Sequence, residues 1–143
     1  MVKLISMCVL LSTAIFAPAQ SISHNKVPSV VINQFNVDFP DAKDVDWELD
    51  KYKNYHADFE KERGKDLDAW YSPEGVLVKV KEEIAKKDLP IAVANAILKQ
   101  YASHRVDEVV KVTEHEVVVY CVEFDNRNQE LKVLFKPDGD TIK

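Results

Sequence analysis

The sequence LDAWYSPEG, from Leu67 to Gly75, reads as an alternating strand that ends in a Pro-acid-Gly turn. The sequence LKVLFKPDG, from Leu131 to Gly139, has the same layout 64 positions later. In both segments apolar residues occupy every second position, an aromatic residue precedes the turn, and proline, an acidic residue and glycine follow in the same order. We interpret this repetition as the mark of a doubled unit.

A helix is predicted ahead of each of these segments. Pro28 and Pro90 suit a first helical position, because proline lacks the backbone N–H that such a position leaves unpaired. Apolar residues at spacings of three and four then predict one helix over 28–38 and a second over 90–103, with Asp88 as the N-cap of the second.

After each helix the apolar period changes from about 3.6 to 2, which indicates strands. The first set of predicted strands covers 44–50, 55–60, 67–71 and 76–83, and the second covers 106–113, 116–124, 130–135 and a short stub at 140–143. The unit is therefore a helix followed by about four antiparallel strands, an α+β arrangement. Its recurrence after 62 to 65 positions favours tandem duplication of a small domain over a solenoid repeat.

The N-terminus has the form of an export signal. Lys3 precedes an apolar run that ends in Ala17-Pro18-Ala19, the small-x-small form of a signal-peptidase site. Cleavage near Ala19-Gln20 would deliver a periplasmic or secreted protein, and an uncleaved N-terminal anchor is the alternative. The predicted segments are a signal peptide over 1–19, a flexible leader over 20–26, a first repeat over 27–86 and a second repeat over 87–143.

Composition narrows the classes of partner. The formal net charge of −5 at pH 7 argues against nucleic acid and anionic lipid. Cys8 lies in the predicted signal peptide, so Cys121 is the only cysteine of the predicted mature chain and cannot form an internal disulfide. No further apolar run in that chain is long enough to span a membrane. The oligomeric state stays open.

The sequence contains no catalytic constellation. It has no HExxH or CxxC motif, and its three glycines all lie at turns, which leaves no loop to hold a phosphate. The serines of the mature chain lie in the leader, at helix ends or in a turn, without the context that a serine nucleophile requires. Cys121 lies mid-strand among valines, as an inert thiol does. We therefore predict a protein that is not an enzyme and needs no cofactor.

One weak metal candidate remains. His56, Asp58 and Glu60 share one strand face at intervals of about 7 Å, so they would need a ligand from a neighbouring strand to hold an ion. A solvated strand face explains the same pattern more simply. A periplasmic small-ligand or metal-binding protein that uses this acidic face is the alternative functional hypothesis.

The chain resembles the PepSY-like family of exported bacterial proteins, whose fold is related to that of the β-lactamase-inhibitor proteins. The resemblance extends over about 27–143 and rests on Val27-Pro28, Leu89-Pro90, Phe39-Pro40-Asp41-Ala42, Val45-Asp46-Trp47-Glu48, Tyr55 to Phe59 and Ser72-Pro73-Glu74-Gly75. The second repeat departs from it, with Ala102 in place of a proline and no tryptophan over 106–113. The resemblance implies a continuous antiparallel sheet with the helices packed on one face. It also implies no enzymatic activity, and binding or inhibition of another envelope or secreted protein such as a peptidase.

The face opposite the helices carries the clearest functional signal. The helices should cover Trp47, Phe59, Tyr71, Tyr120, Phe124 and Phe135, and the other face of such a sheet is ordinarily polar. Yet several apolar residues point that way: Trp70, Leu77, Val117, Val119, Cys121 and Leu134. Exposed apolar side chains often mark an interaction site. We therefore predict that an unknown protein or peptide of the cell envelope binds around Trp70 and Leu134. The alternatives are that strand twist or the C-terminal segment covers these residues, or that they pair copies of a self-associating envelope component.

Overall fold

The computed structural model describes residues 20–62, 64–126 and 129–142. These residues form an antiparallel sheet of nine strands, in which each strand pairs with the next along the chain, and two α-helices. The strands are β1 (Gln20–Ile22), β2 (Lys43–Leu49), β3 (Tyr55–Lys61), β4 (Lys65–Tyr71), β5 (Leu77–Glu83), β6 (Arg105–Glu114), β7 (Val117–Asn126), β8 (Gln129–Phe135) and β9 (Thr141–Ile142). The helices are α1 (Ser29–Asp38), which precedes β2 to β5, and α2 (Ile91–Gln100), which precedes β6 to β9. The predicted α+β class and antiparallel sheet are confirmed.

Two predicted segments fall outside this description. The predicted signal peptide covers 1–19, and the predicted fourth strand of the second repeat includes Lys143. Within the part of the chain that the structure describes, no helix has the length and apolar character needed to cross a membrane.

Both helices begin directly after a proline. Pro28 and Pro90 are N-caps with extended backbone, at φ −56°, ψ 139° and φ −54°, ψ 141°. Their carbonyl groups accept hydrogen bonds from the first turn of each helix, for example from the Ala94 N–H at 3.0 Å. The prediction that Asp88 caps α2 was wrong, because Asp88 ends a short 3-10 helix (Lys86–Asp88) and Pro90 occupies the cap.

The end of α2 also differs from the prediction. The sequence predicts a helix that continues to Ser103, but α2 ends at Gln100 and Tyr101 is its C-cap. The Tyr101 ring stacks on Phe124 of β7, with ring centroids 4.8 Å apart and an interplanar angle of 19°. Tertiary packing of this ring outweighs the local helical pattern.

A short edge strand replaces part of the predicted flexible leader. Gln20, Ser21 and Ile22 pair antiparallel with Leu49, Glu48 and Trp47 of β2, and His24–Lys26 form a 3-10 helix. Ile22 also packs against the buried cluster beneath α1. β1 pairs with the free edge of β2 through backbone hydrogen bonds. This pairing does not require alternating apolar side chains in β1, so the local sequence pattern does not reveal it.

Two buried clusters lie on one face of the sheet. α1 contributes Val31 and Phe35 to the first and α2 contributes Val93 and Ile97 to the second. The strand residues of these clusters are Trp47, Ala57, Phe59, Leu67, Ala69 and Tyr71 in the first, and Val109, Tyr120, Val122, Phe124 and Phe135 in the second. Strand pairing aligns Ala69, Val80, Thr113 and Val118 between the two clusters, so both occupy the same side. We name this side the helix-covered face and the opposite side the open face.

The two Pro-acid-Gly turns close in the same way. The Gly75 N–H donates to the Ser72 carbonyl and the Gly139 N–H donates to the Lys136 carbonyl, both at 2.9 Å. Both glycines have positive φ, +82° for Gly75 and +91° for Gly139, which explains the shared glycine. The sequence similarity between these segments thus corresponds to one local structure at two places.

Candidate functional site

The open face divides into a charged half and an apolar half. Strand pairing aligns one row across β2 to β7 that contains Glu48, His56, Trp70, Lys79, Glu114 and Val117. The adjacent row contains Asp46, Asp58, Asp68, Lys81, Val112 and Val119. Carboxylates therefore occupy β2 to β4, lysines occupy β5, and valines occupy much of β6 and β7.

Trp70 is packed by side chains of its own sheet. Its ring stacks on the His56 imidazole with centroids 4.3 Å apart and planes 5° apart. The ammonium groups of Lys79 and Lys81 lie 5.3 Å and 5.4 Å from the centroid of a Trp70 ring, within the range of cation–π attraction. Trp70 is only partly exposed as a result. More exposed apolar side chains, Val117, Leu134 and Ile142, lie further along the face.

His56 lies between two carboxylates from neighbouring strands. Its Nε2 is 2.6 Å from Asp68 Oδ1 on β4, and its Nδ1 is 3.4 Å from Glu48 Oε2 on β2. Burial by itself would lower the pKa of His56, but the hydrogen bonds and negative charges of Asp68 and Glu48 outweigh burial and raise the pKa. A protonated His56 would donate to both carboxylates at once.

We expect His56 to stabilise the protein in mildly acidic solution. Because its pKa is raised in the folded state, its contribution is fully present below the unfolded value of about 6.5 and is lost as the pH rises through the folded value. The free energy of unfolding of the wild type should therefore fall, relative to that of His56→Gln, as the pH rises above the unfolded value of about 6.5. Urea titrations of both proteins at a series of pH values on either side of this value measure the difference.

The difference between the two proteins reports His56 together with its effect on Asp58. The pKa of Asp58 is raised by burial and then by the negative charge of Asp68, whereas the charge of His56 lowers it, and Asp58 is present in both proteins. Trp70 fluorescence gives a second measurement, because an imidazolium stacked on an indole quenches its emission. Emission should be weaker at pH 5.5 in the wild type only. Parallel stability curves and pH-independent emission would contradict the prediction.

The apolar half of the open face lies on β6 to β9. We name as the apolar patch Val110, Val112, Val117, Val119, Cys121, Leu134 and Ile142. Strand pairing aligns Val110, Cys121, Leu134 and Ile142 across four strands. Val117 is 64% exposed, and Leu134 and Ile142 are 40% exposed. Burial raises the pKa of the Cys121 thiol, and the nearby Glu123 carboxylate adds to this, so the thiol stays largely protonated at neutral pH.

The predicted partner-binding residues do not all lie together. Leu134, Val117 and Val119 belong to the apolar patch, whereas Trp70 on β4 is separated by β5 from the nearest strand of the patch, β6. Leu77 is separated from the Trp70 row by a β-bulge and pairs with Tyr71, which belongs to the helix-covered face. The structure thus places three of the five candidates in one surface.

The predicted metal candidates are not arranged around a common point. His56 has its hydrogen-bond partners on β2 and β4, not along its own strand. Asp58 and Glu60 pair instead with carboxylate residues, Asp68 and Asp66. Across residues 20–62, 64–126 and 129–142, no group of three histidine, cysteine, aspartate or glutamate side chains is placed to hold a metal ion.

Sequence reasoning missed Val110 and Val112. The segment around them, Val109-Val110-Lys111-Val112, has valines on both faces of β6, so alternation does not assign the half-buried Val110 and Val112 to the open face. Val110 pairs with Cys121, and Val112 pairs with Val119. These pairs would have identified both valines as open-face residues, but the pairs depend on the strand register, which the sequence pattern alone does not give.

Comparisons with known proteins agree with this architecture. A family model described provisionally as beta-lactamase-inhibitor-like and PepSY-like matches residues 15–79 and 53–143. No curated protein matches the sequence.

Several solved structures share the fold. A DUF2874 family protein from Bacteroides uniformis is 26% identical with a TM-score of 0.71, and the alignment covers 81% of this chain and 86% of that one. A protein from Bacteroides eggerthii, described provisionally as periplasmic, is 24% identical with a TM-score of 0.72 and coverage of 82% and 86%. A BLIP-like protein from Bacteroides fragilis is 19% identical with a TM-score of 0.69 and coverage of 81% and 83%.

Proposed function

Since the chain belongs to the PepSY-like family, we propose that it is an exported, non-enzymatic binding module that binds another protein or peptide through the open face of its sheet. The observation that carries the proposal is the apolar patch. Val117, Leu134 and Ile142 are exposed on a sheet face whose other half is charged. An antiparallel sheet normally presents polar side chains to water on its uncovered face, so this patch calls for an occupant.

The proposal includes export to the periplasm or beyond the cell. The sequence signal at Ala17-Pro18-Ala19 supports cleavage near Gln20, and the PepSY-like resemblance supports an envelope location. The family description, provisionally beta-lactamase-inhibitor-like, favours inhibition as the form of binding. The target that we propose is an envelope or secreted protein such as a peptidase.

Capture from an envelope extract tests the proposal, with Leu134→Asp as the disrupting variant. Placing a charge in the middle of a docking surface should reduce capture of the specific partner by about tenfold or more. Val37→Asp is the matched control, because Val37 is 73% exposed on α1, away from the open face. The captured protein is then purified and its affinity measured directly by calorimetry.

The result that overturns the proposal is equal affinity of the wild type, Leu134→Asp and Val37→Asp for the captured protein, with all three folded by circular dichroism. Loss of binding in Val37→Asp but not in Leu134→Asp would place the contact outside the open face and would overturn it as well. The expected pattern is loss in Leu134→Asp alone.

A further inference from the structure

Four residues of the apolar patch form the apolar floor of a depression on the open face. The depression has a volume of about 530 Å³, and Val110, Val112, Cys121 and Leu134 are among the residues that line it. These residues come from β6, β7 and β8, so the floor is held by three paired strands. A space of this size admits a large apolar side chain with part of its backbone.

Carboxylates dominate the rim of this depression. Asp66, Asp68, Glu83, Glu108 and Glu123 line it, and the lysines beside them are Lys81 and Lys132. Glu108 and Glu123 lie directly opposite each other on β6 and β7. Like charges in this position destabilise a pair of strands. Burial raises the pKa of Glu108, and the negative charges of Glu123 and Glu83 raise it further, whereas Lys132 lowers it.

The two rim lysines are already engaged. The Lys132 ammonium forms an ion pair with Glu123, and the Lys81 ammonium lies 5.4 Å from the centroid of a Trp70 ring. Next to the rim residue Asp68, Asp58 and Asp46 continue a row of carboxylates across β3 and β2. Negative charge therefore exceeds positive charge over the whole surface next to the apolar floor.

We propose that this depression binds an extended segment of a partner protein in which a large apolar side chain is flanked by lysine or arginine. The apolar side chain would contact Val112, Cys121 and Leu134, and the flanking cations would lie near Glu108 and Glu123. The inference rests on the proposed function and adds to it the chemistry of the partner. A cationic partner would reduce the repulsion between Glu108 and Glu123 further than the ion pair of Lys132 with Glu123 already does.

Synthetic peptides test this inference without knowledge of the natural partner. One peptide has a central phenylalanine between lysines, the second replaces the phenylalanine with alanine, and the third replaces the lysines with glutamates. In calorimetry at low salt the first should bind at least about tenfold more tightly than either of the others. Its affinity should fall when the ionic strength rises, because salt screens exposed charges.

Variants of the chain locate the contact. Leu134→Ala shortens a residue of the floor without adding charge. It should lower the affinity for the phenylalanine peptide several-fold. Glu108→Gln with Glu123→Gln removes two rim charges, and its matched control is Asp41→Asn with Glu62→Gln, two exposed acids that do not line this depression. Only the rim variant should weaken binding. Slower alkylation of Cys121 in the presence of peptide, localised by mass spectrometry, reports occupation of the floor.

The outcomes separate this inference from the broader proposal. If the basic peptide binds no better than the acidic one, or if the control variant weakens binding as much as the rim variant, the inference is overturned. Capture of a partner that depends on Leu134 would then still support the proposed function. If sedimentation shows a dimer that Leu134→Asp dissociates, the occupant is a second copy of the chain and the inference is also overturned.

Discussion

Phe35→Ala is expected to lower the free energy of unfolding by about 3–5 kcal/mol, a large part of the 5–15 kcal/mol that is typical of a single domain. Phe35 is 3% exposed and lies at the centre of the first buried cluster. Its ring centroid is 5.0 Å from that of Phe59, 5.2 Å from that of Trp47, and within 6.2 Å of two further aromatic rings, Phe39 and Tyr71. Truncation to alanine removes these contacts and leaves a cavity that rigid neighbouring rings fill poorly.

Val37→Ala is the matched control for this prediction. Val37 lies two residues further along α1 and is 73% exposed, so its truncation should change stability by less than about 0.5 kcal/mol. Urea unfolding followed by circular dichroism measures the free energy of unfolding of both variants. The comparison is valid if the slope of this free energy against urea concentration is the same in both variants and the wild type. A loss in Phe35→Ala that is no larger than the loss in Val37→Ala would mean that α1 is not anchored through this ring.

The doubled pattern could be read from the sequence because the same positions are buried in both halves. Val31 and Phe35 of α1 correspond to Val93 and Ile97 of α2 at an offset of 62, and all four are buried. The six aromatic residues assigned to the helix-covered face, namely Trp47, Phe59, Tyr71, Tyr120, Phe124 and Phe135, are also buried. Local periodicity determines which side chains an element buries, so these positions are accessible to sequence reasoning. Descent of the two halves from one duplicated unit stays a prediction.

The surroundings of Trp70 could not be read in the same way. Its position on the open face follows from alternation, but its contacts with His56, Lys79 and Lys81 depend on the register of three strands. The register also contains a β-bulge between Trp70 and Tyr71, which shifts Leu77 out of the alternation that the sequence suggests. Sequence alone therefore places Trp70 on the open face, but it does not show that neighbouring side chains leave the ring only partly exposed. Contact of Trp70 with a partner stays a prediction.

Gly139→Ala is expected to destabilise the protein by about 3 kcal/mol or more, through two separate effects. Gly139 has φ +91°, a conformation that residues with a Cβ rarely adopt. A Cβ at this position would also lie 2.6 Å from the carbonyl oxygen of Ala92, in the first turn of α2. Relief of that contact requires the turn or the helix to move. The Cβ of Ala96 would also lie 3.4 Å from the added Cβ.

Gly64→Ala separates the conformational effect from the steric one. Gly64 has φ +65° but its Cβ would meet nothing within 4 Å, so this variant should lose only the conformational term of about 1–2 kcal/mol. Gly75→Ala should resemble Gly139→Ala more closely, because its Cβ would lie 3.0 Å from both the carbonyl oxygen and a methyl group of Val30 in α1. Urea unfolding should therefore rank the losses as Gly139 first, then Gly75, then Gly64. Equal losses in all three would show that the Pro-acid-Gly turns need glycine for backbone conformation alone, and that the close approach of each turn to its helix contributes nothing measurable.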